Sequence, residues 1–256
     1  LNSFDDLFGT EQPQTGTEQV QEIALSELHE FKGHPFKVLD DEKMQETMES
    51  IREHGVLMPG IARPMKDGGY EIIAGHRRRH ACELVGLTTM PMFIRDYTDD
   101  EATIIMVDSN IQREDILPSE KAKAYFMKYE AVKHQGKKGK GNSLDEVGET
   151  AGESAKTVQR YIYLAHLSDA LLDMVDKKKI GIVQGVELSF LTEQQQEWVQ
   201  VVLEETGVII STVQASRLKE HGKSDELTLP MVRLILTEPK PIERKVTIKA
   251  DKISRY

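Results

Sequence analysis

The 256 residues include 33 Lys or Arg against 43 Asp or Glu, a formal net charge of −10, with 39% hydrophobic and 30% charged residues. That balance is typical of a globular chain long enough for one large domain or two ordinary ones, and no apolar run approaches the roughly 18–20 residues needed to span a bilayer. The single cysteine, Cys82, excludes a disulfide framework and a Cys-rich zinc site.

Residues 1–19, rich in Gln, Thr, Gly, Asp and Glu, read as a disordered leader. Its only apolar cluster is Phe4, Leu7 and Phe8, at helical spacing. It lacks the basic flank and apolar stretch of a signal peptide, so a cytoplasmic protein is expected. Residues 20–115 alternate short strands and helices. Val20 to Leu28 reads as a strand and its exit. Asp40-Asp41 can cap a helix from Glu42 to Glu53 with Met44, Met48 and Ile51 on one face, and Gly55 ends it. Ile61–Pro64 and Tyr70–Ala74 flank the hairpin signal Lys66-Asp67-Gly68-Gly69. Gly75 then opens a helix through Leu84, followed by a strand from Met90 to Ile94. A further helix is expected from Thr98-Asp99-Asp100-Glu101 to about Gln112.

From residue 116 to 222 strand signals nearly vanish. Pro118-Ser119-Glu120 starts a long helix to about His134, a basic loop runs from Gln135 to Asn142, and helical patterns continue to about Lys219. The stretch 223–256 turns β-branched and Pro-rich and reads as a linker toward a region beyond this chain. The first residue is Leu and no stop follows Tyr256, so a piece of a longer protein is expected. The sequence contains no internal repeat. From Leu117 to Lys179 the chain holds 12 Lys or Arg against 9 Asp or Glu, a local +3 in an acidic whole. For contact with nucleic acid, that distribution matters more than the sum.

Leu144 to Tyr163 fits a helix-turn-helix position by position. Ser143 can cap the first helix with Glu146 completing a capping box, Val147 and Ala151 face inward, and Gly148 is small where the helices cross. Gly152 sits at the turn, where a positive φ is needed, and Val158 and Tyr161 pin the second helix to the first. The outward face then holds Ser154, Lys156, Thr157, Gln159 and Arg160. Arg and Gln suit base edges in a major groove, while Ser, Thr and Lys can also take phosphate. Lys137, Lys138 and Lys140 in the adjacent loop would reach the DNA backbone. An ordinary helical hairpin with a solvated polar face is the competing reading.

Gly75-His76-Arg77-Arg78-Arg79-His80-Ala81 follows a strand and opens a helix. Free backbone N–H groups, a positive helix end and several guanidiniums together make a polyphosphate cradle. An Arg-rich first turn could instead meet DNA or an acidic partner, and no Walker-type Gly-Lys-Ser/Thr follows. Asp108 to Asp115 crowds amide, acid and Arg groups around a helix end, where Asn110 could hold a metal-bound phosphate and Arg113 a phosphate oxygen.

In order and spacing, four motifs resemble the ParB family of partition proteins. They are Gly55-Val56-Leu57-Met58-Pro59, the arginine motif from Gly75 to Ala81, the run from Asn110 to Pro118, and the helix-turn-helix. The leader Phe4-Asp5-Asp6-Leu7-Phe8-Gly9 also looks like the short apolar motif of that family's N-termini. The resemblance implies an α+β fold, with a small mixed α/β ParB/sulfiredoxin-like N-terminal domain followed by an all-α helix-turn-helix domain. It implies double-stranded DNA with a centromere-like site as target, and CTP with Mg²⁺ as the switch of a two-subunit clamp. A ParA-type ATPase would meet the leader, and homodimerisation would use a C-terminal region beyond this chain. The protein would be cytoplasmic and associated with nucleoid or plasmid. Carried over by position, Gly75, His76, Arg77, Arg78, Asn110 and Arg113 would contact the triphosphate or its metal, and Gly55 and Pro59 would shape the nucleobase end.

Three positions depart from the family pattern. His76 stands where the arginine motif usually has Glu, Ser109 where a Glu precedes Asn-Ile-Gln-Arg, and Met58 where Gln is frequent. The phosphate-contacting arginines are kept, so nucleotide binding is expected to persist. The missing carboxylate at 109 bears on hydrolysis. Asp108 is adjacent, but one residue along a helix turns it about 100° away. The N-terminal fold also resembles sulfiredoxin and a free-serine kinase. Sulfiredoxin, however, needs a Cys before its His-Arg pair, and Gly75 stands there. A transcription regulator without nucleotide switching is the main alternative, and a nuclease-like partition relative a weaker one.

Overall fold

The computed structural model describes residues 20–113, 115–135 and 143–238. The leader, the basic loop with Lys137, Lys138 and Lys140, and the stretch after residue 238 lie outside the described residues. The chain forms two compact units, Leu1–Ala165 and His166–Tyr256. Residue 116, where the sequence reading places a boundary, falls inside the first. The five strands and eleven α-helices described make the fold α+β.

The first unit is built on a mixed five-stranded sheet. Its strands are β1 (Val20–Ala24), β2 (Leu28–His29), β3 (Gly60–Pro64), β4 (Tyr70–Ala74) and β5 (Thr89–Ile94), in the order β1-β5-β3-β4-β2. Pairs β1/β5 and β3/β4 are antiparallel, and β3/β5 and β2/β4 parallel. Successive strand residues point to opposite faces, so neighbours enter different cores. Ile72 packs with Met44, Met48, Ile51, Met90 and Met92 under the helices α1 (Glu42–His54) and α2 (His76–Val85). Ile73 packs on the other side with Phe31, Phe36, Met106 and Tyr125.

Local chemistry sets the element ends. The Asp41 carboxylate accepts from the Met44 N–H at 2.9 Å to start α1, and Gly55 at φ 70° closes it. Helix α3 (Asp99–Asp108) begins with a capping box in which Glu101 accepts from the Thr98 N–H at 3.0 Å. It stops at Asp108, earlier than the expected Gln112. There the Ser109 hydroxyl and the Asn110 amide both donate to the Met106 carbonyl, at 3.0 and 2.8 Å. Those side chains hold the 109–112 turn in place of another helical turn. Helix α4 (Pro118–His134) follows, then α5 (Ser143–Glu149) and α6 (Ala155–Leu164). Ser143 is the first residue of α5 rather than a cap preceding it. Val147, Val158 and Ile162 join Tyr125 and Met106 in one cluster, so the helix-turn-helix shares a core with the sheet.

In the second unit the described residues form only helices as regular structure: α7 (Asp169–Asp176), α8 (Ile182–Leu188), α9 (Glu193–Thr206), α10 (Thr212–Lys223) and α11 (Leu229–Thr237). Helix α11 corrects the expectation of a linker from residue 223, since Val232, Ile235 and Leu236 are buried. The buried Gln214 amide donates to the Ile235 and Leu236 carbonyls at 2.9 and 3.1 Å, satisfying the end of α11. Gln196 likewise accepts from the Ser168 N–H at 2.7 Å and donates to the His166 and Leu191 carbonyls. Among the described residues no helix is long and apolar enough to cross a membrane.

Candidate nucleotide cleft and nucleic-acid interface

Strand β4 ends at Ala74, and Gly75 turns the chain into α2 with φ 112°, a conformation that favours glycine. A Cβ at Gly75 would also meet the Gly60 Cα at 3.2 Å. The tight turn brings the first backbone N–H groups of α2 to the wall of an open cleft of about 170 Å³. His34, Lys37, Val38, Gly75, His76, Arg77, Arg78, Ser109, Asn110 and Arg113 line it together with Ala74. Six residues singled out from sequence thus meet here: Gly75, His76, Arg77, Arg78, Asn110 and Arg113. Gly55 and Pro59 do not line the cleft. Gly55 caps α1, and Pro59 lends its carbonyl to Arg78.

Sequence reasoning missed His34, Lys37 and Val38. They lie some forty residues before the arginine motif, in a segment with no strand or helix signal. The His34 Nδ1 donates to the Phe36 carbonyl at 2.8 Å, and Glu120 accepts from the Lys37 N–H at 2.7 Å. Those two bonds fold the 34–37 segment against the cleft.

The electrostatics are one-signed. Lys37, Arg77, Arg78 and Arg113 line the cleft and no carboxylate does. Arg77 pairs with Asp41 at the rim. Arg78 is drawn inward, donating to the Met58 carbonyl and, at 2.9 Å, to that of Pro59. Burial lowers its pKa below the usual guanidinium value. Burial also pushes the His76 ring down to about 3, helped by His34 and Arg79, and lowers His34. The His34 and His76 Nε2 atoms and the Arg79 Nε are buried without a hydrogen-bond partner in the described structure.

Orphaned buried histidine nitrogens, the N-terminal turn of α2 and cations with no carboxylate in the lining fit a polyphosphate. The fit to Mg²⁺ is narrower. Asp108 is committed to the buried Lys128 ammonium at 2.5 Å, and Ser109 supplies no carboxylate. No group of three His, Cys, Asp or Glu able to hold a metal occurs among the described residues. A Mg²⁺ here would rest on the phosphates and the Asn110 amide oxygen.

The second surface is the helix-turn-helix. Gly152 takes φ 65° at the turn. A Cβ at Gly148 would lie 2.3 Å from the Glu153 carbonyl and 2.9 Å from Val158 Cγ2, so only glycine allows this crossing. Helix α6 buries Val158, Ile162 and Leu164 and exposes Lys156, Gln159 and Arg160. Ser154 is its cap, with its hydroxyl accepting from the Thr157 N–H at 3.3 Å. Thr157 is half-buried, and the Gln159 amide rests on the Tyr163 hydroxyl at 3.2 Å. No described residue pairs with Lys156 or Arg160.

Cleft and interface are joined through α4. The Lys128 ammonium bridges Asp108 and the Thr150 hydroxyl (3.3 Å), and the Gln112 amide donates to the Thr150 carbonyl at 3.0 Å. Glu153 accepts from the Tyr125 hydroxyl at 3.0 Å and pairs with Lys121.

Residues 9–111 match the ParB N-terminal domain. The chain is 32% identical over 209 residues to the probable chromosome 1-partitioning protein ParB of Deinococcus radiodurans, covering 82% of this chain and 69% of that protein. It is 30% identical over 235 residues to the chromosome-partitioning protein Spo0J of Thermus thermophilus, covering 92% of this chain and 80% of that one. The C-terminally truncated ParB of Caulobacter crescentus is similar both in its complex with the centromeric parS site (TM-score 0.43, 21% identity) and in that with CTP-gamma-S (TM-score 0.35, 25% identity). In each case 78% of this chain and 98% of the other is covered. Over nearly its whole length, then, this chain belongs to the ParB family of partition proteins.

Proposed function

We propose that this protein binds a centromere-like site on double-stranded DNA through α6 and uses CTP as the switch of a clamp. The observation carrying this reading is the one-signed cleft at Gly75, which shares a core with an exposed recognition helix. Bound CTP with Mg²⁺ would supply the charge that orders the two sites. Gly75 and the first turn of α2 would hold the phosphates on backbone N–H groups, Arg77 and Arg113 would take phosphate oxygens, and Asn110 would face the metal. Arg78 would act from the wall, fixing the 58–59 segment. Asp108 is held by Lys128 and Ser109 has no carboxylate, so no described acid stands ready to position water. Slow or absent CTP hydrolysis follows.

On the DNA side, Arg160 and Gln159 would read base edges, while Lys156, Ser154, Thr157 and the loop lysines 137, 138 and 140 would take phosphates. The leader would meet a ParA-type ATPase, and pairing of two copies would close the clamp. Selecting bound fragments from random duplexes, with and without CTP and Mg²⁺, tests this. Enrichment of one inverted-repeat sequence supports it. Enrichment unaffected by any nucleotide favours a helix-turn-helix regulator, in keeping with the departures at His76 and Ser109. No enrichment contradicts both.

A further inference from the structure

Buried ring nitrogens are normally hydrogen-bonded, yet two in the cleft are not. His34 Nε2 and His76 Nε2 are shielded from solvent and lack partners among the described residues. Their rings stack at 3.9 Å between centroids, tilted by 39°. The other nitrogen of His34 fixes its tautomer. The Phe36 carbonyl can only accept, so His34 Nδ1 carries the proton and the neutral ring presents a bare lone pair at Nε2. A bare lone pair repels a phosphate oxygen, whereas a protonated Nε2 donates to it.

We propose that His34 and His76 are a proton-sharing pair that contacts the nucleotide's phosphates, so that polyphosphate binding in this cleft takes up one proton. This rests on reading the cleft as the nucleotide site. The close stack limits the pair to one added charge, because two imidazolium rings at that separation repel. The charged groups around the pair are mixed. Glu30 and Glu120 favour a proton on His34, while Arg113 opposes it, and Arg79 opposes one on His76. Lys37, Arg77 and Arg78 complete the cationic wall. Glu120 is already engaged by the Lys37 and Leu117 N–H groups, and Glu30 is exposed beside Arg79. Without ligand, burial lowers the pKa of both rings, that of His76 to about 3. A phosphate at Nε2 supplies the missing counter-charge and raises the pair's pKa. Affinity therefore rises as pH falls, by up to roughly tenfold per pH unit between the free and the bound value, and levels off above the bound value.

The test is calorimetric titration of CTP with Mg²⁺ into the full chain, in two buffers of different ionisation enthalpy, at about pH 6, 6.5 and 7.5. His34→Asn keeps a donor toward the Phe36 carbonyl and deletes Nε2. His76→Gln keeps an amide near the same point and cannot titrate, and it serves if His34→Asn fails to fold. The nucleotide's terminal phosphate titrates near neutrality in every titration, so the readout is the excess of wild type over variant. The expected result is about one extra proton taken up by wild type near pH 6.5, with affinity weakening roughly three- to tenfold more than the variant's toward pH 7.5. Equal proton counts in wild type and variants overturn the proton-sharing pair and leave the nucleotide reading intact. No CTP binding at any pH overturns both.

Discussion

The cleft at Gly75 and the seam between α4 and the helix-turn-helix both bury polar groups, and they treat them in opposite ways. In the seam, the buried Lys128 reaches Asp108 and Thr150, Tyr125 reaches Glu153, and Lys121 pairs with Glu153. In the cleft, His34 Nε2 and His76 Nε2 have no partner among the described residues, and the lining cations face no lining carboxylate. Satisfied buried networks rigidify a fold, while unsatisfied ones cost stability unless something else binds there. The seam therefore holds the cleft and the helix-turn-helix in one body, and the unsatisfied cleft is what the proposed anion would complete.

The sharpest way to break that contrast is to unpair the seam. Lys128→Ala leaves Asp108 without its counter-charge in a largely buried setting. It should cost about 3–5 kcal/mol in denaturant unfolding, with CTP and DNA binding lost together at temperatures where the variant unfolds. Gly148→Ala places a methyl against the Glu153 carbonyl and should cost about 1–3 kcal/mol. A cost near zero would mean that the helix crossing can relax. Arg160→Ala should leave stability within about 0.5 kcal/mol and weaken specific DNA binding by about 1–3 kcal/mol if it reads a base. Equal losses on specific and random duplexes would make it a phosphate contact. Arg113→Ala should be the mildest, weakening CTP binding roughly tenfold, as expected for one charge-assisted hydrogen bond. Its melting curve should not move.

Much of this organisation was legible in the residues themselves. Asp41 as a cap, Met44, Met48 and Ile51 as a buried stripe, and Gly148 and Gly152 as glycines required at the helix crossing and the turn all rest on local rules. Those rules need only a few neighbouring residues. What escaped depended on distant partners. His34 and Lys37 enter the cleft because the Phe36 carbonyl and Glu120 hold their loop, and Glu120 lies 83 residues from Lys37. The early end of α3 came from Ser109 and Asn110 turning their side chains onto the Met106 carbonyl. The linker expectation from residue 223 rests on the β-branched, Pro-rich character of residues 240–248, whereas α11 carries Val232, Ile235 and Leu236. Burial of those side chains, and the Gln214 amide on the last carbonyls, hold that helix. Asp108, expected from helix geometry to point about 100° away from Ser109, pairs with the buried Lys128.

Whether the cleft is kept for a nucleotide is tested most directly by calorimetric titration of CTP, then ATP and GTP, with Mg²⁺, into wild type and Arg113→Ala, with and without cognate DNA. Selective CTP binding, weakened roughly tenfold in Arg113→Ala at unchanged melting temperature, is the predicted result. No binding of any nucleotide, with or without DNA, would contradict it.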